Sequence, residues 1–307
     1  MKIAIVGAGA MGSLFGSLLA EGGHEVWLYD IWQDHIQAVQ QNGLKVEREG
    51  KTRYVRLNAT SDRTQIGESE LVLIFVKSTQ TQSAAESAAL LAGRSGWVLT
   101  LQNGMGNAET IAEHIHPNRI LAGTTAHGAT MLKAGFIRHA GAGPTTVGMW
   151  SGGEKEFQTA RKIADQFTQA GIESTAVEAI RPVIWDKLLV NIGINAITAL
   201  TGIKNGQILD LEVTRELSRV AVEEAAAVAR ARGIEIRKDP ATHVFQVAAA
   251  TAANRSSMGQ DVDQCRPTEI KAINGFVVRE AERMGIAAPV NRALTALVET
   301  IQAHYRE

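Results

Sequence analysis

The sequence predicts an α/β protein in which a doubly wound parallel sheet is followed by an all-helical C-terminal domain. Short β-branched runs alternate with longer amphipathic runs in the first half, and helical periodicity replaces this alternation from about Gly153. The glycines are also unevenly shared, since 19 of the 29 fall in residues 1–150. Because glycine permits positive φ and close backbone approach, this half should contain many tight turns between strands and helices.

The first half supplies the strands of the predicted sheet. Strand and helix patterns alternate over residues 3–6 and 11–21, 25–29 and 34–41, and 71–76 and 80–91, and further apolar runs follow at 97–101 and 120–125. Continuous hydrophobicity of this kind marks strands buried on both faces of a parallel sheet. Two edge additions are predicted: a hairpin over residues 44–57 turned at Gly50, and an antiparallel pair at 136–139 and 145–148 that flanks residues 141–144.

The pattern of the second half predicts helices. A helix at 157–170 and a short strand at 173–177 complete the first domain, and helices are predicted at 183–200, 213–231, 241–252, 267–284 and 290–305. The change of period places a domain boundary near residue 180. We therefore expect a dinucleotide-binding domain at 1–179 and a helical, substrate-binding and catalytic domain at 180–307.

Composition excludes several classes of protein. With 45% hydrophobic and 21% charged residues the chain is typical of globular proteins, and a net charge of −1 offers no basic excess for nucleic acid. A single cysteine, Cys265, allows neither an internal disulfide nor a thiolate zinc cluster, which fits a reducing compartment. The sequence has no 18-residue apolar run and predicts a cytoplasmic protein without membrane, nucleic-acid or metal partners. A homodimer is possible, because residues 220–228 offer an apolar surface that burial within the domain would explain equally well.

The run Gly7-Ala8-Gly9-Ala10-Met11-Gly12 follows a predicted strand and opens a predicted helix. In this setting the spacing indicates a Rossmann-type dinucleotide loop: Gly7 allows the turn, Gly9 lets the backbone approach the pyrophosphate, and Gly12 lets helix and strand pack closely. Asp30 stands at the end of the next strand, where a carboxylate accepts hydrogen bonds from the ribose hydroxyls and repels a 2′-phosphate. The sequence therefore favours NAD over NADP, unless Arg53 or another basic residue reaches the site.

Three polar side chains interrupt an otherwise apolar helix. Lys187, Asn191 and Asn195 follow one another at intervals of four residues and therefore share one face. If buried, they either satisfy other protein groups or line a cleft that holds a polar ligand, because an unpaired buried polar group costs ~1–3 kcal/mol. The alternative is a solvated stripe on an amphipathic helix, which would favour long charged side chains over two asparagines. At the carboxyl edge of the predicted sheet, Lys77 and Asn103 follow strands, where ligands bind in doubly wound folds, although either could simply cap a turn.

Four segments together resemble the ketopantoate reductase family over nearly the whole chain. They are residues 7–12, residues 102–106 (Gln-Asn-Gly-Met-Gly), residues 185–195 continuing to Lys204-Asn205-Gly206, and residues 254–258 (Asn-Arg-Ser-Ser-Met) continuing through Pro267-Thr268-Glu269 to Ile273-Asn274-Gly275. The resemblance implies a dinucleotide-binding domain, a helical domain and an active site between them. It also implies reduction of 2-dehydropantoate, a small anionic 2-oxo acid, to pantoate in pantothenate biosynthesis.

The resemblance further implies a role for each matching residue. Lys187 would be the general acid, and Glu269 would contact the substrate hydroxyl and position groups near the lysine. Substrate contacts would come from Asn103, Asn191, Asn195, Asn205, Asn254 and Ser257. The cofactor would contact Gly7, Gly9, Ala10, Met11, Gly12, Asp30, Lys77 and Asn103.

One feature departs from the family pattern. The best-known members use NADPH and carry a basic residue where this chain has Asp30. NADP therefore stays possible, and so do two other functions: an NAD-dependent reductase of another branched 2-oxo acid or a β-hydroxyacid dehydrogenase, and a non-catalytic NAD-sensing protein. A sensor would have no need of Lys187 and its polar neighbours.

Overall fold

A computed structural model describes residues 1–305, and the chain divides into two compact units. Unit 1 comprises Met1–Gln102 and Asn107–Ile180. Unit 2 comprises Asn103–Gly106 and the chain from Arg181 onward. The four residues 103–106 thus belong to the helical unit although they follow a strand of the sheet, which no periodicity in the sequence indicates.

The main sheet of unit 1 has eight strands in the order β12-β11-β8-β7-β6-β1-β2-β5. These strands are β1 (Lys2–Val6), β2 (Glu25–Tyr29), β5 (Asn58–Thr60), β6 (Leu71–Ile74), β7 (Trp97–Thr100), β8 (Ile120–Thr125), β11 (Thr145–Met149) and β12 (Ser174–Ala176). Neighbouring strands are parallel except for β11 and β8. The strand order reverses between β1 and β6, which is the point where doubly wound sheets bind ligands. The predicted parallel sheet is confirmed.

A second, four-stranded sheet has the order β4-β3-β10-β9. It contains β3 (Leu44–Arg48), β4 (Lys51–Val55), β9 (Gly128–Lys133) and β10 (Phe136–Gly141). The hairpin predicted over 44–57 is confirmed. The pairing of residues 136–139 with 145–148 is wrong, because residues 142–144 carry the chain from this sheet into β11 of the main sheet. β10 pairs instead with β9, whose half-buried and exposed side chains lack the alternation that reveals a strand.

Five helices pack in unit 1, each because it has an apolar face. They are α1 (Ala10–Glu21), α2 (Gln33–Asn42), α3 (Thr81–Ala92), α4 (Asn107–Ala112) and α5 (Glu154–Gln169). In α5 the buried residues recur every three or four positions, from Phe157 to Phe167, and the other face is polar. The helix predicted at 157–170 and the strand predicted at 173–177 are both present.

Unit 2 contains six helices within its described residues. They are α6 (Ile180–Thr201), α7 (Glu212–Ala231), α8 (Pro240–Ala250), α9 (Ser257–Asp263), α10 (Asn274–Met284) and α11 (Pro289–Ala303). The helix predicted at 267–284 is wrong in its first part, because α10 begins only at Asn274 and turns precede it. In these turns the Gly275 N–H donates to the Ile270 carbonyl, five residues earlier, and the Ala272 carbonyl accepts from the Met105 N–H, so the regular helical hydrogen-bond pattern is not formed. The short helix α9 was not predicted.

Two apolar stretches of unit 2 are buried in the folded chain. Ala221, Val222, Ala225 and Val228 are fully buried in the helical core, so the apolar pattern of residues 220–228 is explained without a second copy. α6 passes a length and composition test for a membrane span, but 61% of its most apolar window is buried inside the protein. This degree of burial is typical of a core helix.

Candidate active site

The dinucleotide loop of unit 1 has the backbone geometry that its sequence predicts. Gly7 has a φ of +98°, and a Cβ there would lie 2.7 Å from the Val76 nitrogen. A Cβ at Gly12 would lie 1.9 Å from the Gly7 carbonyl oxygen, whereas a Cβ at Gly9 would meet open space. Two glycines are therefore required by packing, and Gly9 leaves room next to the helix start at Ala10, where backbone N–H groups attract a phosphate.

Asp30 is fixed by two backbone groups next to this loop. Its Oδ2 accepts a hydrogen bond from the Ala8 N–H at 2.6 Å, and its Oδ1 accepts one from the Trp32 N–H at 2.9 Å. A carboxylate has about four acceptor positions, so it can still accept hydrogen bonds from a ribose diol. A cavity of about 220 Å³ adjoins it, lined by residues that include Gly7, Asp30, Ile31, Arg63, Ala84 and Ser87. Unit 1 therefore has a loop and a cavity that fit a dinucleotide.

Arg53 does not supply a cation to this cavity. Its guanidinium donates two hydrogen bonds to Glu21, at 2.6 and 2.7 Å. The basic side chain that does line the cavity is Arg63, which the sequence pattern did not reveal because it lies outside every motif.

Side chains that follow β6 and β7 reach the same edge of the sheet as Gly7 and Asp30, since β6 is parallel to its neighbour β1 and β7 is parallel to its neighbour β6. Lys77 is half-buried and immediately precedes a short 3-10 helix, Ser78–Gln80. Gln102 donates hydrogen bonds from Nε2 to the Val76 carbonyl at 2.7 Å and to Thr81 Oγ1 at 2.9 Å. The conspicuous Gln102 therefore joins the ends of two strands rather than facing a ligand.

In unit 2, the polar stripe lies on α6 as the spacing predicted. Lys187 and Asn191 are partly buried, and Asn195 is only 5% exposed. Among residues 1–305, no side chain or backbone group hydrogen-bonds the side-chain amide of Asn191 or Asn195. Both amides keep some access to solvent, and together with the neighbouring lysine they offer polar contacts to a ligand in a cleft.

The segment Asn103–Gly106 packs against the turns that precede α10. Asn103 Nδ2 donates a hydrogen bond to Glu269 Oε2 at 3.3 Å, and the Met105 N–H donates to the Ala272 carbonyl at 2.9 Å. Gly104 has a φ of +80°, and a Cβ there would lie 2.7 Å from Ala272. Glu269 does not lie in the first turn of a helix, so the simple explanation that it stabilises a helix dipole does not apply. The fold brings together two predicted site residues that are 166 positions apart.

Two opposing influences act on the pKa of Lys187, namely burial and the negative charge of Glu269. Burial lowers the pKa of Lys187 to about 8, and the negative charge of Glu269 opposes this shift. The cation is therefore predominantly protonated at neutral pH but gives up its proton far more readily than a free lysine does. A group with this pKa is suited to donate a proton near neutral pH.

The lowered pKa predicts how Lys187 affects stability. A lysine whose pKa is lower in the folded state than in the unfolded state destabilises the folded protein as long as it is charged. This destabilisation has its full size below pH 8, decreases as the pH rises from 8 to 10.5, and is lost above pH 10.5. Lys187→Met is therefore expected to raise the free energy of unfolding by about 1–3 kcal/mol at pH 7. Denaturant unfolding of both proteins at pH 7 and pH 10 measures this, and the difference should shrink at pH 10. A variant that is less stable than the wild type at pH 7, or a stability difference that is the same at both pH values, would contradict the prediction.

The remaining predicted residues lie around the start of α9. Asn254 and Ser257 are exposed, whereas Ser256 is buried, caps α9 through the Gly259 N–H at 3.0 Å and accepts a hydrogen bond from Thr198 at 2.7 Å. Of the two adjacent serines, the structural one is thus Ser256, and Ser257 is available to a ligand.

Asn205 is buried beneath this segment. Its N–H donates to the Asn254 carbonyl at 3.0 Å, and its Nδ2 donates to Thr251 Oγ1 at 3.0 Å. Its Oδ1 has no hydrogen-bond partner among the described residues. Arg255, which the sequence did not single out, anchors the same segment through Asp263, with both N–O distances at 2.8 Å.

Comparisons with known proteins agree with both units. The family models described as ketopantoate reductase PanE/ApbA and ketopantoate reductase PanE/ApbA C terminal match residues 3–152 and 179–302. The chain belongs to the ketopantoate reductase family. Membership makes it an oxidoreductase that uses a pyridine nucleotide, and the α/β fold with its helical C-terminal part is that of solved family members.

Relatives of this ketopantoate reductase family member match it from end to end. A 2-dehydropantoate 2-reductase of Halobacterium salinarum is 38% identical, with 98% of this chain and 99% of the relative covered. One from Vibrio cholerae is 35% identical, with 98% of each chain covered. Among solved structures, a PanE/ApbA family ketopantoate reductase from Ralstonia eutropha JMP134 superposes with a TM-score of 0.91 at 34% identity, over 100% of both chains. A D-mandelate dehydrogenase in complex with NADH and anilino(oxo)acetate superposes with a TM-score of 0.93 at 28% identity, also over 100% of both chains.

Proposed function

We propose that the protein is a 2-dehydropantoate 2-reductase that uses NADH and carries out its proton transfer with Lys187. The observation that supports this most strongly is the group formed by Lys187, Glu269 and Asn103 in unit 2, next to amides on α6 that have no partner among the described residues. In this proposal, residues 1–179 hold the dinucleotide. Residues 180–307, together with Asn103, hold and reduce the 2-oxo acid.

The residues of unit 1 that would hold the cofactor are those of its loop and cavity. The cofactor pyrophosphate would be held by Gly7, Gly9, Ala10, Met11 and Gly12, and Asp30 would accept hydrogen bonds from the adenosine ribose. Lys77 contributes positive charge near the end of β6. When bound, NADH supplies the hydride that reduces the 2-oxo carbon.

The charge that develops on the ketone oxygen needs a positive partner and a proton. Lys187 supplies both, because its ammonium stabilises the growing alkoxide and its lowered pKa makes proton donation easy. The neutral amine that results regains a proton from solvent before the next turnover. Glu269 favours the protonated form of Lys187 before the reaction, because its negative charge raises the pKa of the lysine.

The other polar residues of unit 2 would orient the substrate. Asn191 and Asn195 donate hydrogen bonds to its oxygens, and the exposed Ser257 and Asn254 bind the carboxylate end. Glu269 accepts a hydrogen bond from the substrate hydroxyl, and Asn103, tied to it at 3.3 Å, adjoins the reacting ketone. Asn205 acts mainly by holding the segment that carries Asn254, because its backbone N–H donates to the Asn254 carbonyl and its Nδ2 donates to Thr251.

Asp30 should make NADH the better cofactor. A charged hydrogen bond to the ribose is worth ~1.5–3 kcal/mol, so kcat/KM with NADH should exceed that with NADPH by at least about 10-fold. Asp30→Asn keeps a side-chain oxygen acceptor but removes the charge, and should lower the preference chiefly by improving the use of NADPH. Initial rates with both cofactors test this. A wild-type preference for NADPH would overturn the assignment of NADH.

A second candidate function follows from the D-mandelate dehydrogenase that superposes with a TM-score of 0.93. This candidate is an NAD-dependent reductase of another 2-oxo acid, including one with an aromatic or branched side chain. Rates with 2-dehydropantoate, 2-oxoisovalerate and benzoylformate distinguish the two candidates. The first candidate requires the highest kcat/KM with 2-dehydropantoate.

Two further assignments accompany the proposed reaction. We place the enzyme in the cytoplasm, because a chain with a single, exposed cysteine suits a reducing compartment. A homodimer stays a prediction, and sedimentation velocity tests it.

A further inference from the structure

The cavity beside Asp30 contains an apolar side chain that the protein itself leaves uncovered. Ile31 is 74% exposed, the highest value among the exposed large hydrophobic residues, and it lines the cavity directly after Asp30. Isolated exposed isoleucines are common, but this one adjoins a cavity whose other lining residues include the loop glycine Gly7. An apolar ligand group in the cavity would cover it.

Arg63 reaches the same cavity from a different part of the chain. It lies in the segment after the edge strand β5, where Asp62 caps a short 3-10 helix, Arg63–Gln65, by accepting a hydrogen bond from the Thr64 N–H at 3.0 Å. Its guanidinium donates one hydrogen bond, at 3.1 Å, to Ser87 on α3, and its charge acts on the exposed carboxylate of the adjacent Asp62. The guanidinium is thus half-buried and held in place, and most of its donors are not used by the protein.

We propose that Arg63 and Ile31 hold the adenine ring of the dinucleotide between them, with the planar guanidinium of Arg63 stacked on the ring. A guanidinium stacks well on aromatic faces, and a base in this position covers Ile31. The ribose then falls at Asp30, which adjoins Ile31 in sequence and lines the same cavity. This inference rests on the proposed position of the dinucleotide at the loop and cavity of unit 1, and it adds a residue that determines how tightly the adenosine end is bound.

Charge in the cavity argues against a different role, in which Arg63 binds a 2′-phosphate. Two carboxylates, Asp30 and Glu86, line the cavity together with the one guanidinium of Arg63. The balance is negative, which disfavours a dianionic phosphate but does not affect a neutral base. Arg63 should therefore strengthen the binding of NADH and NADPH by the same factor.

Calorimetric titration with ADP-ribose and with NADH tests the stacking. Arg63→Ala is expected to weaken the binding of both ligands by about 3–30-fold, and Ile31→Ser, at an exposed site that the fold tolerates, by a smaller factor. The loss of affinity in the double variant should be smaller than the product of the losses in the two single variants, because both side chains hold the same ring. Arg53→Ala, which removes an arginine bound to Glu21 outside the cavity, is the matched control and should bind like the wild type.

Three results would overturn the proposal. They are unchanged binding of ADP-ribose in Arg63→Ala, a loss clearly larger for NADPH than for NADH, and an equal loss for reduced nicotinamide mononucleotide, which has no adenine. Binding of ADP-ribose requires no oxo acid. If it depends on Arg63 while no 2-oxo acid is reduced, only the proposed reaction is wrong.

Discussion

Lys187→Ala is expected to lower kcat with 2-dehydropantoate about 1,000-fold, because a positioned general acid contributes about 100- to 10,000-fold. The variant loses both the charge that stabilises the alkoxide and the proton that completes the product. The loop and cavity that would bind the cofactor are built from residues of unit 1, so the dissociation constant for NADH should change by less than a factor of about three.

Two measurements make this prediction specific. Lys238→Ala removes an exposed lysine from the same unit and should retain wild-type turnover. Small primary amines added to Lys187→Ala should restore part of the lost rate, because they supply the missing ammonium. Turnover of Lys187→Ala within a few-fold of the wild type would show that another residue is the acid.

Glu269 gives the second large effect. Glu269→Ala removes the acceptor of the Asn103 hydrogen bond and the proposed acceptor for the substrate hydroxyl, and kcat/KM should fall about 10- to 100-fold, since hydrogen bonds to charged groups are worth ~1.5–3 kcal/mol. Its charge also raises the pKa of Lys187 against the effect of burial. Loss of that charge should lower this pKa below about 8.

Glu269→Gln separates the two roles of the side chain. It keeps an oxygen that Asn103 can donate to but lacks the charge, so the alkaline limb of the kcat profile should move to lower pH by about one unit, with a smaller loss of kcat/KM than in Glu269→Ala. Profiles from pH 6 to pH 10 measure the shift. An alkaline limb that stays in place in both variants would mean that Glu269 does not act on the titration of Lys187.

The central strands, the polar stripe of α6 and the dinucleotide loop could be predicted from the sequence, because each depends on residues that are close together in the chain. The central parallel strands follow from continuous apolar runs, and the α6 stripe follows from a spacing of four residues that any helix places on one face. The dinucleotide loop was equally predictable, because Gly7 has a positive φ and a Cβ at Gly12 would meet the Gly7 carbonyl within one strand-turn-helix unit. The contact with Val76 that also excludes a Cβ at Gly7 comes from a distant segment.

Features that leave no periodic pattern, or that depend on contacts between distant segments, could not be found in this way. β10 pairs with β9 instead of the segment after residue 144, because the crossing between two sheets leaves no periodic trace. The late start of α10 is associated with the hydrogen bond from Met105 to Ala272, which joins residues 167 positions apart. Arg63 reaches the cavity of Asp30 through the packing of the segment after β5 against α3, and no motif contains it.

The resemblance to a known family proposed roles that spacing alone left open, and the structure places several of those residues in one group. Asn103 and Glu269 are hydrogen-bonded, and the charge of Glu269 acts on Lys187. Ser257 and its neighbour Ser256 are identical in type, and only the buried cap formed by Ser256 distinguishes them.

The most direct test of the proposed chemistry is the rate of NADH oxidation with 2-dehydropantoate and a panel of other 2-oxo acids, measured for the wild type and for Lys187→Ala. We predict that 2-dehydropantoate has the highest kcat/KM of the panel and that the variant loses about three orders of magnitude in kcat with it. Wild-type turnover that is absent with every 2-oxo acid, or that survives the loss of Lys187, would contradict the proposal.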